Sequence, residues 1–209
     1  MQTIMLMNAK GGCGKSTLAT NLATWYADEG FKVALADHDP QGSTLDWLEA
    51  RQDYEGIPEI AAIDAVNGPA RAPRGTDYLI MDVPASIHGK DINAHLRRVD
   101  TMIMPVLPSP LDIRACKRYL KELSKNKRIA RGQLRVGVVA NRVRENTRAF
   151  HELEAFLNGL EIPFLGKLRE SQNYIRAAET GLGIFELAPS QVYADVVQWD
   201  AIIDWLNEQ

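Results

Sequence analysis

Apolar residues along this chain fall into two rhythms. Short, nearly continuous runs recur at residues 3–8, 32–36, 78–82, 101–106, 135–140 and 164–168, as expected for strands buried on both faces of a parallel sheet. Between them, apolar positions recur every three or four residues, which predicts helices over 15–29, 43–51, 112–130, 147–158, 171–180 and 191–206. Strand and helix alternate, so the expected fold is α/β: a mainly parallel twisted sheet flanked by helices on both faces. Residues 55–76 break both rhythms, with Gly and Pro set around one apolar island at 60–66. That stretch predicts an irregular excursion with room for one small strand.

Composition narrows the picture without redirecting it. At 209 residues the expectation is one domain spanning 1–209, and 45% hydrophobic with 24% charged residues is ordinary for a globular protein. The apolar runs fall short of the roughly 18 residues that a membrane span needs. The first residues carry no basic, apolar and small-residue succession of a secretory signal, so a cytoplasmic location is expected. Cys13 and Cys116 show no metal-ligand spacing, and two thiols in a reducing compartment are expected to stay reduced. His151-Glu152 does not continue into HExxH, which argues against a zinc site.

The chemistry-bearing segment is Lys10-Gly11-Gly12-Cys13-Gly14-Lys15-Ser16-Thr17, set between the first predicted strand and the first predicted helix. Glycines there let backbone N–H groups turn inward around phosphate oxygens, and the following helix offers its positive end to the same anion. Lys15 is expected to reach the β and γ phosphates of ATP, and the Ser16 hydroxyl to ligate Mg²⁺. Ala9 stands where the usual GxxxxGK[ST] pattern has its first glycine. Acidic residues should then end neighbouring strands, because ligands of open parallel sheets gather at that edge. Asp82 does so after four apolar residues, and Asp37-His38-Asp39-Pro40-Gln41 follows the second strand. Taken alone, Asp82 is equally a helix cap and Asp39-Pro40 an ordinary turn.

Lys10-Gly-Gly-x-Gly-Lys-Ser resembles the deviant Walker A motif of the ParA/MinD superfamily, and motif order agrees over nearly the full chain. The resemblance implies that ATP or ADP with Mg²⁺ is bound by Gly11, Gly12, Cys13, Gly14, Lys15, Ser16 and Thr17. It implies that Lys10 crosses a dimer interface to the other subunit's phosphates. It further implies that Asp39 acts on the attacking water and near the metal, and that Asp82 is the Walker B carboxylate, bonded to Mg²⁺ through water. Asp82-Val-Pro84 resembles the family's switch II segment. Asn141 and Arg142 stand where family members bind adenine, and Pro189 stands in a segment that lies against the base. A homodimer in the ATP state and a ParB-like or cargo-adaptor partner are expected on the same ground. So is a ParA-like engine of the short class, since no helix-turn-helix precedes the loop in this sequence. A metabolic or metallocluster ATPase, such as the nitrogenase iron protein or the cobyrinate amidases, is the competing expectation within the superfamily.

The net charge of −3 conceals a local excess of the opposite sign. Nine Lys or Arg residues and one acid, Glu122, lie between Arg114 and Arg135. On a continuous helix, Arg114, Lys117, Lys121, Lys125 and Arg128 fall within an arc of about 80°, and Arg131 extends the field. A soluble helix usually mixes signs, so the imbalance favours a polyphosphate partner, and non-specific nucleoid DNA is the expectation. The final helix carries Asp195, Asp200, Asp204 and Glu208 without a cation. A basic membrane-surface helix of the MinD kind is therefore not expected.

Overall fold

The computed structural model describes residues 1–85, 87 and 90–208. Its elements run β1 (Gln2–Leu6), α1 (Lys15–Asp28), β2 (Val33–Asp37), α2 (Ser43–Arg51), β3 (Ile60–Asp64), β4 (Tyr78–Asp82), α3 (Lys90–Leu96) and β5 (Thr101–Val106). They continue with α4 (Pro110–Leu123), α5 (Lys127–Ala130), β6 (Arg135–Val143), α6 (Arg148–Asn158), β7 (Phe164–Arg169) and α7 (Gln172–Glu179). A 3₁₀ turn (Ile184–Glu186), α8 (Pro189–Val196) and α9 (Asp200–Asn207) follow.

The strands form one seven-stranded sheet in the order β3-β2-β4-β1-β5-β6-β7, and every pairing is parallel. Side chains alternate across it, as the two-residue repeat of a strand demands. Ile4 and Leu6 of β1 join one core with α1, α2 and α9, through Leu18, Leu22, Trp47, Ile202 and Leu206. Met5 and Met7 join the opposite core with α3, α4 and α6, through Leu96, Tyr119, Leu123, Leu153 and Leu157. Because β1 is central, the chain leaves its carboxyl end toward β2 on one side and returns through β5 on the other. That divergence opens a crevice at the sheet edge.

Two expectations are corrected. The helix expected over 112–130 begins earlier, at Pro110, and stops at Leu123, with a new short helix at Lys127–Ala130. Ser109 caps the first by accepting from Asp112 N, and Asn126 caps the second by accepting from Arg128 N at 2.9 Å. Each polar cap satisfies a first-turn donor that has no partner within its own helix. The helix expected over 191–206 is likewise two helices, with Trp199 fully buried at their junction. Residues 90–96 form α3, a helix in the interval between β4 and β5, as the alternation of strand and helix implies.

A buried ion pair fastens α2 to the segment after α7. Arg51 donates to Glu186 Oε2 at 2.8 Å and Oε1 at 2.5 Å, and also to the carbonyls of Gly181 and Pro58. Glu186 accepts in addition from Gly183 N at 2.7 Å. Gly181 has φ +70, and a β-carbon there would meet Arg51 N at 2.3 Å, so the two backbones touch where only glycine fits. Arg51→Ala leaves the Glu186 carboxylate buried without its counter-ion. It is expected to lower unfolding free energy by about 3–5 kcal/mol, measured as a fall in the urea midpoint.

Candidate functional site

The crevice at the carboxyl edge of the sheet is a cavity of about 1100 Å³, lined by the loop after β1, Asp39, Pro84, Asn141, Arg142 and the start of α7. The loop is suspended between two asparagines. Asn8 Nδ2 donates to Pro105 O at 2.6 Å while its Oδ1 accepts from Lys10 N at 3.2 Å, tying the loop's entry to β5. Asn141 Nδ2 donates to Cys13 O at 2.8 Å, tying its exit to β6. Gly14 then turns into α1 with φ +93. A β-carbon on Gly14 would meet Asn141 Nδ2 at 2.2 Å, whereas one on Gly11 or Gly12 would meet nothing within 4 Å. The backbone at Gly11 and Gly12, which line the cavity, is thus open to an incoming group.

The loop side chains divide by task. Cys13 is fully buried, with its Sγ donating to Lys10 O at 3.3 Å, and burial raises its thiol pKa. It is a packing residue of the cradle. Lys15 is buried against the cavity, and Ser16 and Thr17 line it. Ser16 lies beside the Asp82 side chain, whose Oδ1 is buried without any partner. Burial pushes the Asp82 pKa up to about 6, aided by Asp37 and Asp39 and opposed by Ser16 and Lys15. A carboxylate oxygen hidden from water and left unpaired costs free energy unless a cation or donor meets it. The set therefore fits a magnesium nucleotide: Lys15 and the loop amides for the phosphates, Ser16 and Asp82 for the metal.

After β2, Asp37 ties the backbone into a knot. Its carboxylate accepts from Asp39 N at 2.9 Å, Thr44 N at 2.9 Å, Thr44 Oγ1 at 2.7 Å and Leu45 N at 3.3 Å. All of Asp37 is spent on holding the loop, so Asp39 is the acid of the pair that reaches the cavity. Among the described residues the Asp39 side chain makes only a local turn contact, accepting from Gln41 N at 3.0 Å.

On the far wall the expectations fare unevenly. Arg142 lines the cavity with φ +52, the one non-glycine residue of positive φ among the described residues, and pairs with Glu170 at 3.3 Å. Glu170 also holds Arg144, and these two arginines keep its carboxyl below the usual range. Asn141 lies at the cavity, but its amide is committed to Cys13 O and Arg142 N. In this structure it braces the loop. Pro189 does not line the cavity: it opens α8 as the first helical residue, a position that suits its fixed φ and missing N–H. The wall is formed instead by Arg169 to Gln172 with Tyr174 and Ile175, which no motif in the sequence marks. Arg169, Ser171 and Asn173 all bond the buried Asp195 carboxylate, anchoring that wall to α8. Burial of Asp195 alone would raise its pKa, but the bonds from Arg169, Asn173 and Ser171 outweigh it and lower it.

The expected cationic row is also revised. Arg114, Lys117, Lys121 and Lys125 are exposed on α4 and just beyond it, and Arg131 is exposed after α5. Arg128 leaves the row, because its guanidinium donates to Leu96 O, to Val99 O at 2.9 Å and to Gln133 O at 3.0 Å. It fastens α5 to the chain around α3 and is unavailable to a polyanion. Arg118 is exposed on the same helix and falls outside that arc.

A parallel sheet with a glycine loop at the end of its central strand, a buried lysine and an unpaired strand-end aspartate define a P-loop nucleotide-binding protein. The chain belongs to the ParA/MinD family: the model of the CobQ/CobB/MinD/ParA nucleotide binding domain matches residues 4–184. It is 27% identical over 190 residues to the maintenance of carboxysome distribution protein A of Halothiobacillus neapolitanus, covering 88% of this chain and 87% of that protein. To the septum site-determining protein MinD of Neisseria meningitidis it is 26% identical over 241 aligned positions, covering 93% and 89%. Its fold matches a chain of the MinC:MinD cell division protein complex of Aquifex aeolicus with a TM-score of 0.72 at 20% identity, covering 100% of this chain and 97% of that one. Among the described residues no helix is long and apolar enough to cross a membrane.

The folded pKa of Asp82 lies above its unfolded value, so the folded protein holds this proton where the unfolded chain has lost it. Its contribution to stability is present at acid pH and declines as pH rises through about 6. In nucleotide- and metal-free protein, Asp82→Asn is expected to stabilise by on the order of 2 kcal/mol above that pH and by nothing near the usual carboxylate pKa. Denaturant titrations across the range measure the difference.

Proposed function

We propose that this chain is an ATP-hydrolysing positioning protein of the ParA type. It pairs as a homodimer when ATP-bound, rests on nucleoid DNA without sequence preference while paired, and releases after hydrolysis. The observation that carries the reading is that Lys15, Ser16 and Asp39 line one cavity, with the unpaired Asp82 oxygen buried close behind them. In this reading Lys15 and the loop amides offset phosphate charge, Ser16 and Asp82 hold Mg²⁺, and Asp39 orients a water molecule. The bound nucleotide supplies the phosphoanhydride bond that is broken. Lys10 reaches the phosphates of the second copy, and the cycle acts as a slow timer that a ParB-like or cargo-adaptor protein accelerates. The site of action is the cytoplasm, on the nucleoid.

A protein body is the first cargo to test, given the likeness to a carboxysome distribution protein. A plasmid or a chromosome region would be moved by the same engine. Both thiols weigh against the metallocluster reading. Cys13 is buried inside the loop and Cys116 is buried against Met104, whereas a cluster shared between subunits needs thiolates at the surface.

Two experiments test the proposal. Asp39→Ala is expected to keep ATP-dependent pairing by light scattering while reducing phosphate release at least about 100-fold; unchanged turnover rejects the role of Asp39. Reversing Arg114, Lys117 and Lys121 to Glu should lower the slope of log affinity against log salt for duplex DNA by about three, since each phosphate contact releases roughly one counterion. ATP affinity should be unchanged. Undiminished DNA binding by the triple variant rejects α4 as the interface.

A further inference from the structure

The lysine expected to serve a second copy is held by its own subunit. Lys10 Nζ donates to Asp112 Oδ2 at 3.0 Å, with Lys10 41% exposed and Asp112 3% exposed. Oδ2 also accepts from Ser109 Oγ at 2.6 Å, while Asp112 Oδ1 is buried with no partner. The carboxylate sits in the first turn of α4, where the helix field favours an anion. Its positive counterpart is the Lys10 ammonium, brought 102 residues along the chain to meet it.

Only the side chain of Lys10 is free to change partner. Its N–H is bound to Asn8 Oδ1 at 3.2 Å and its carbonyl accepts from Cys13 Sγ at 3.3 Å. The four-carbon stem can therefore swing between two anions, the carboxylate of its own subunit and the phosphates of the other, without disturbing the loop. Asp112 can survive the exchange, because Ser109 and the helix end remain with it. Lys10 cannot serve both at once.

We propose that Asp112 is a positioning residue that holds Lys10 in its own subunit and competes with the second copy's nucleotide for it, setting the ATP threshold for pairing. The proposal rests on the dimer reading above and adds the residue that opposes it. Breaking a partly exposed pair raises the availability of the lysine by a modest factor.

The test compares wild type, Asp112→Asn and Ser109→Ala. Competitive acetylation of nucleotide-free protein, quantified at Lys10 by mass spectrometry, reads the latch directly. Asp112→Asn is expected to raise Lys10 modification about threefold or more and to lower the Mg-ATP concentration at half-pairing about three- to tenfold. Ser109→Ala removes the cap and retains the ion pair, so it should lower the melting temperature and leave Lys10 modification within about twofold of wild type. A role confined to capping α4 predicts that Asp112→Asn behaves as Ser109→Ala does, and that result overturns the proposal. So does unchanged Lys10 reactivity in Asp112→Asn. Should Asp112→Asn fail to fold, Lys10 reactivity in wild type decides: modification as fast as at Lys117 and Lys121 overturns the latch. Failure of wild type to pair at saturating Mg-ATP would instead refute the dimer reading, which the acetylation measurement does not depend on.

Discussion

The turn from β1 into α1 is the constraint on which the site depends, and it is enforced by a contact from outside the loop. Gly14 must adopt positive φ, and the direction in which a side chain would project is filled by the Asn141 amide. That same amide grips the carbonyl of Cys13, while Asn8 grips the amide of Lys10 and the carbonyl of Pro105. Loop geometry is thereby set by the spacing of β5 and β6 about β1. A parallel sheet fixes that spacing through its hydrogen bonds, so the cradle is built before any anion arrives. The electrostatic value of such a cradle lies in not having to reorganise.

Around this fixed point the structure separates rigid walls from movable parts. The far end of α2 is fastened by Arg51 and Glu186, and its near end by the knot on Asp37. The start of α7 is fastened through Asp195. Between these anchors, the Asp39 side chain has only a turn contact and the Lys10 side chain only its pair with Asp112 among the described residues. Motion on nucleotide exchange is confined by default to groups whose displacement breaks few bonds, and those are the two residues given roles in turnover and pairing.

Which parts were legible in the sequence follows from the range of the interactions involved. The strand runs and the loop motif are local, so the sheet and the positions of Lys15, Ser16, Asp39 and Asp82 could be expected from residue type and spacing. Ser109-Pro110-x-Asp112 was a legible cap that places the start of α4 two residues earlier than helical periodicity did. The break at residues 124–126 carries no Gly or Pro, and an Asn cap inside a basic run looks like helix until the tertiary contacts of Arg128 are known. Glu170, Tyr174 and Ile175 reach the cavity because β7 lies beside β6, a fact of topology that no short window encodes. Pro189 stands outside the cavity lining for a reason of the same range: its fixed φ suits a helix start, and only the packing of α8 decides which way that start faces.

Cations of one segment do different work, which limits what a count of charges can say. Of the nine between Arg114 and Arg135, Arg128 is bound to three carbonyls, and Arg135 donates to the carbonyls of Trp205 and Glu208 while lying 4.2 Å from the Trp205 ring. Both are planar donors spent on closing the fold, a task that suits Arg better than Lys. The exposed cations of α4, Arg114, Lys117, Arg118 and Lys121, stand by contrast on the surface of the helix. The excess of positive charge outlasts the subtraction, and the chain as a whole is anionic, so a polyanion is steered toward this helix and repelled elsewhere. The helix that carries the cations also carries Asp112 in its first turn. The proposed exchange of Lys10 and the proposed DNA-facing surface therefore share one short element, so the charge at one end lies within a few turns of the other.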